Sequence, residues 1–125
     1  ADLARPGLVV VLCAPAVPCG NYAAQALARA GVRVTAASQE QDVKAVVTKV
    51  SLGEADAGIV YITDVKAGGA RVQGVDIPDD QNLVAQYPMA VVKGSPNPVG
   101  ARAFVDFVHS AAGQDVLQGF GFSAP

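Results

Sequence analysis

Charge is scarce in this sequence, and what there is nearly cancels. Nine Lys and Arg face eleven Asp and Glu, a net charge of -2 with a pI near 5.1. A nucleic-acid partner needs a basic face, and no such excess is present. The same balance supplies no bulk field for an anion, so an anion site here has to be local. No apolar run reaches the ~18 residues of a membrane-spanning helix. Two cysteines, Cys13 and Cys19, are too few for a disulfide scaffold. With the single His109 they are also too few and too scattered for a metal centre. No serine sits in a G-x-S-x-G elbow with a His and Asp to serve it, so no catalytic constellation is read and an enzyme is not expected. Low-complexity segments, repeats and like-charge blocks are missing as well.

What is present is apolar: half of the 125 residues are hydrophobic, enough for the core of one modest domain. "GLVVVLC" (7–13) is a continuous β-branched run, the pattern of a strand buried on both faces. "NYAAQALARAG" (21–31) carries an apolar stripe of Tyr22, Ala23, Ala26, Leu27 and Ala30, with Gly31 as a stop. "VRVTAAS" (32–38) reads as a short strand. In 39–55, Val43, Val46, Val47 and Val50 recur at helical spacing. "DAGIVYIT" (56–63) reads as a second buried strand, 71–78 as an alternating strand, and 83–94 as extended and interrupted at Tyr87-Pro88. A helix is expected over 98–113, with Val99, Ala103, Phe104, Phe107 and Val108 facing inward, and a last short helix with its tail over 114–122. Strands alternate with helices, so the expected class is α/β with a mostly parallel sheet.

The loop "CAPAVPCGN" (13–21) between the first strand and the first helix is uncharged. In an open α/β sheet, ligands bind beyond the carboxyl ends of the strands. Helix N-termini there present free N–H groups and a partial positive charge, so they hold anions without a charged side chain. The passages at 13–21, 38–43 and 61–65 are the three candidates. Gly20 allows close approach and the prolines stiffen the first loop.

Three stretches, "APAVPCGNYAAQAL", "EQDVKAVVTKVSLGEADAGIVYITD" and "YPMAVVKGSPNPVGARAFVDFVHSAAGQDVLQGFGF", resemble in order and spacing the periplasmic molybdate-binding proteins of bacterial ABC importers. The resemblance runs along essentially the whole chain. It implies a two-lobed clam-shell fold that holds an oxyanion by backbone N–H groups and neutral hydroxyls. Carried over by position, the anion-binding groups are the N–H of Cys19, the N–H of Val43 and the hydroxyl of Tyr61. The family more often has a small residue such as alanine where Cys19 stands, which a backbone donor tolerates. The resemblance implies molybdate or tungstate as ligand, no cofactor, a membrane permease as partner and an exported, periplasmic or surface-anchored location. The runner-up is a sensing effector domain of a transcription regulator, for which an upstream basic helix-turn-helix would be expected.

Against that family the chain is short. Residues 1–86 correspond to the second lobe, and 87–125 to the hinge crossing and C-terminal helices that pack on a first lobe whose two serine-bearing motifs find no match here. A truncated chain with a weakened site is the expectation, and the helix at 98–108 is expected to fold back onto residues 1–86 or to pair with another copy. Asp42 and Asp64 are expected to face solvent or cap helices, since a donor-only site suits a fully deprotonated dianion. Cys13 and Cys19 either form one bridge or stand as separate thiols, Cys13 as a core residue. His109 reads as a dipole-complementing group at a helix end. Tyr22 and Tyr87 read as structural, and without the resemblance Tyr61 reads as packing.

Overall fold

A computed structural model describes residues 2–124, and they fall into two compact units that divide between Ala85 and Gln86. In the first, strand β1 (Val10–Cys13) lies between β2 (Ser38–Glu40) and β3 (Ala57–Gly58), both parallel to it. The register pairs Val11 with Ser38 and with Gly58, one on each side. Helix α1 (Pro18–Arg29) joins β1 to β2, α2 (Val43–Ser51) joins β2 to β3, and α3 (Ile62–Gly68) follows β3. This is the α/β class with a parallel sheet flanked by helices.

Neighbouring residues of a strand point to opposite faces. Val10 and Val11 are both buried, so both faces of β1 are covered, as its unbroken β-branched run requires. One core cluster joins Val11, Cys13, Cys19, Val46 and Ala55, with Val17, Val43, Val50, Val60 and Tyr61 packed on it. Val46 is fully buried, the centre of the valine stripe on α2. Lys49 on α2 reaches Glu40 on β2 at 2.6 Å and Ser38 Oγ at 3.0 Å, which ties the helix to its strand. That ion pair, with the Ser38 hydroxyl, holds the Glu40 carboxyl below the ordinary carboxylate range.

Several expectations are corrected. The strand read at 32–38 is displaced to 38–40, because the ladder begins only where Ala37 N donates to Val10 O at 2.8 Å. The strand read at 56–63 is cut to two residues, since α3 starts at Ile62; Asp64 accepts the Tyr61 N–H at 3.2 Å and turns the chain into a helix. Residues 71–78 and 83–94 join no ladder among the described residues. Val75, Val84 and Val92 are at least three-quarters exposed, so alternation there has no covering layer behind it.

In the second unit the helix read at 98–113 is two: α4 (Pro98–His109) and α5 (Ala111–Gly119). Ser110 takes extended dihedrals, donates to Phe107 O at 2.6 Å and accepts from Gly113 N at 3.2 Å, so it closes one helix and caps the next. His109 does stand in the last turn of α4. The inward face expected for α4 is not covered: Val99, Phe104 and Phe107 are all more than half exposed. Within this unit Tyr87 packs edge-on against Phe122.

Candidate functional site

The parallel sheet gathers three strand-to-helix junctions on one edge, the carboxyl end of its strands, where α/β folds bind ligands. Each junction is built by local chemistry. At the first, Val17 stands in extended conformation, Pro18 opens α1, and no side chain caps the helix. Proline suits this position because its missing N–H is one of the four that a helix start leaves open. The next two donors, the N–H groups of Cys19 and Gly20, have no hydrogen-bond partner among the described residues. The helix start is pressed onto the strand end: a Cβ on Gly20 would lie 2.0 Å from Ala14 O and 2.6 Å from Cys13 O. Only glycine allows that approach.

At the second junction, Asp42 N-caps α2 and its Oδ1 accepts the Ala45 N–H at 3.0 Å. The N–H groups of Val43 and Lys44 are left without a partner among the described residues. At the third, Tyr61 precedes α3 and its ring meets Tyr22 of α1 edge-on, with centroids 6.3 Å apart. Cys19 Sγ donates to Ile59 O at 3.5 Å, a link from the first turn of α1 to the segment that carries Tyr61.

Cys19, Val43 and Tyr61 therefore come from three separate elements and meet around one cluster. The two nearby carboxylates are turned onto the backbone of their own helices, Asp42 onto Ala45 and Asp64 onto Tyr61. Burial pushes the Asp64 carboxyl above the ordinary range; the Tyr61 N–H and the Lys44 ammonium pull it partly back. A surface hollow of about 790 Å³ runs along α2 from Asp42 to Glu54 and takes in Val43, but neither Cys19 nor Tyr61.

Cys13 and Cys19 are free thiols, both buried, so no bridge joins them. Burial raises both above the ordinary thiol range. Residue reading missed the Gly20 and Lys44 N–H groups. The signal was available, since the second N–H of a helix is as open as the first. It also missed that Lys44 places a cation close enough to Asp64 to be felt there. No cluster of three or more metal-ligating side chains occurs among the described residues, and none of their helices is long and apolar enough to cross a membrane.

Comparison with known proteins places the chain in a family. The chain is 41% identical over its whole length to the molybdate-binding protein ModA of Mycobacterium bovis, of which it covers 48%. It is 34% identical to ModA of Haemophilus influenzae and 31% identical to ModA of Escherichia coli. Each of these matches covers 86% of this chain, and 43% and 42% of the respective relatives. The chain thus spans about half the length of the relatives it matches. No solved structure matches it. The model of the bacterial extracellular solute-binding proteins matches residues 1–123, so a parallel α/β lobe with open helix starts along one sheet edge is, in family terms, a member of the bacterial extracellular solute-binding proteins.

Proposed function

We propose that the three junctions hold a tetrahedral oxyanion, molybdate or tungstate, through the N–H groups of Cys19 and Val43 and the hydroxyl of Tyr61. The observation that carries this reading is the convergence of these three residues on one cluster at the ligand edge of the sheet. The uncapped start of α1 adds two open donors and the positive end of a helix dipole. The carboxylates are already engaged as helix caps, which leaves a site of donors. Donors alone suit a dianion without protons, whereas a protonated phosphate asks for an acceptor. Relatives named as molybdate-binding proteins support the same ligand class. In this reading the chain acts outside the cytoplasm and hands the anion to the membrane permease of an ABC importer, with no nucleic acid and no cofactor involved. The exposed face of α4 supports association with a second copy.

Isothermal titration of the 125-residue chain with molybdate, tungstate and sulfate tests the ligand. Saturable heat from molybdate and tungstate, with sulfate silent, is the expected result. Saturation by sulfate alone, or by none of the three, would sink the reading for this chain.

A further inference from the structure

The thiols of Cys13 and Cys19 are chemistry that an anion site of N–H and hydroxyl donors does not use. Cys13 ends β1 and Cys19 lies in the first turn of α1, at 3% and 6% exposure. They belong to one buried cluster. The close approach at Gly20 holds the two backbones together, with Cys13 O among the atoms nearest its missing Cβ. Cys19 Sγ donates to Ile59 O at 3.5 Å. One thiol proton thus links the start of α1 to the segment leading to Tyr61.

We propose that Cys13 and Cys19 are a reversible dithiol–disulfide pair, and that closing the disulfide withdraws the Cys19 donor from Ile59 O and loosens the segment that carries Tyr61. The oxidant is a small disulfide such as glutathione disulfide. One cysteine thiolate attacks a glutathione sulfur, a mixed disulfide forms and one glutathione thiolate leaves. The second cysteine thiolate attacks the protein sulfur of that mixed disulfide and the second glutathione thiolate leaves. Two protein thiols become one disulfide, one glutathione disulfide becomes two glutathiones, and a dithiol reductant runs the exchange backwards. In the folded chain both thiols are buried and held protonated, so exchange is slow and the pair is set as the chain folds. A disulfide sulfur carries no proton, so the bond to Ile59 O is lost outright. The consequence for anion binding rests on the site reading above; the disulfide and its effect on residues 59–61 do not.

The test is to refold the chain in a glutathione redox buffer and, separately, in excess dithiothreitol. The oxidised sample is expected to lose both free thiols and two hydrogens in mass, with one intramolecular link between the peptides holding residues 13 and 19. Amide hydrogen exchange at Val60 and Tyr61 is expected to be about threefold faster than in the reduced sample, for one weak hydrogen bond lost. Cys19→Ala in dithiothreitol is expected to show the same acceleration with no disulfide at all. Retained glutathione, links between chains, two surviving thiols, or unchanged exchange at 60 and 61 would each overturn the proposal. Molybdate titration of both samples separates the two readings. Weaker binding by the oxidised form supports both. Altered exchange with neither form binding keeps the thiol pair and removes the anion site. Equal binding by both forms overturns the link between them.

Discussion

Tyr61 stands where three pieces of chain meet: it borders α3, its ring rests on Tyr22 of α1, and it packs on the cluster centred on Val46 of α2. If its hydroxyl donates to the bound anion, removing that one atom removes one hydrogen bond to a charge, about 1.5–3 kcal/mol. Tyr61→Phe is therefore expected to weaken molybdate binding roughly tenfold to a hundredfold by titration calorimetry. Gly20 is a separate matter, because its neighbours are backbone atoms that cannot swing aside. Gly20→Ala is expected to cost about 3 kcal/mol in urea unfolding, the upper end of overpacking effects. Asp64 gives a pH signature. Its folded carboxyl sits above the ordinary range, so the native state binds the proton more tightly than the unfolded chain. Its contribution to stability falls as pH rises from the ordinary carboxylate value through the higher folded one, and is flat on either side. Asp64→Asn keeps an acceptor for the Tyr61 N–H and is expected to erase that segment of the profile, measured by urea unfolding at a series of pH values. A profile identical to the parent would contradict it.

At the scale of the element, the two long helices of the first unit begin differently. Helix α1 has proline and no side-chain cap, whereas α2 is capped by Asp42. Asp42→Ala is expected to cost about 1 kcal/mol of stability, read from thermal unfolding. It also removes a negative charge beside the open Val43 N–H, so molybdate affinity should hold or rise. A joint loss of stability and affinity would place Asp42 in the site itself. The helices were the legible part of the sequence, because the valines of α2 and the alanines of α1 repeat at the helical period. Helix α3 was hidden, since "IVYIT" reads as one apolar run and nothing before Asp64 marks the turn. The break at Ser110 was equally hidden: Ala111, Ala112 and Gly113 continue the pattern without a stop, and only the paired bonds of Ser110 end one helix and start another.

At the scale of the whole molecule, apolar surface is the unsettled quantity. No residue of α4 is buried, and Val99, Phe104 and Phe107 lie 80, 60 and 54% exposed. Exposed apolar side chains grouped on one helix mark an association surface. The chain is expected to elute above monomer mass at high concentration in size exclusion with light scattering, and Phe107→Asp to return it toward the monomer. A monomer throughout would remove self-association through α4.

Composition, the β-branched run of β1 and the helical stripes of α1 and α2 are properties of short stretches of chain, and they were enough for the α/β class and for the junctions at 13–21, 38–43 and 61–65, whereas Cys19, Val43 and Tyr61 as candidates came by position from the family resemblance. The segments at 71–78 and 83–94 show the limit of such reading. Alternation describes a pleat, but a strand exists only where another strand supplies its hydrogen bonds. Tertiary structure alone decided that the three junctions share one edge and that two thiols six residues apart share one buried cluster. Each of these depends on distances between residues far apart along the chain, or on how closely one helix is pressed onto one strand, and no local pattern encodes either.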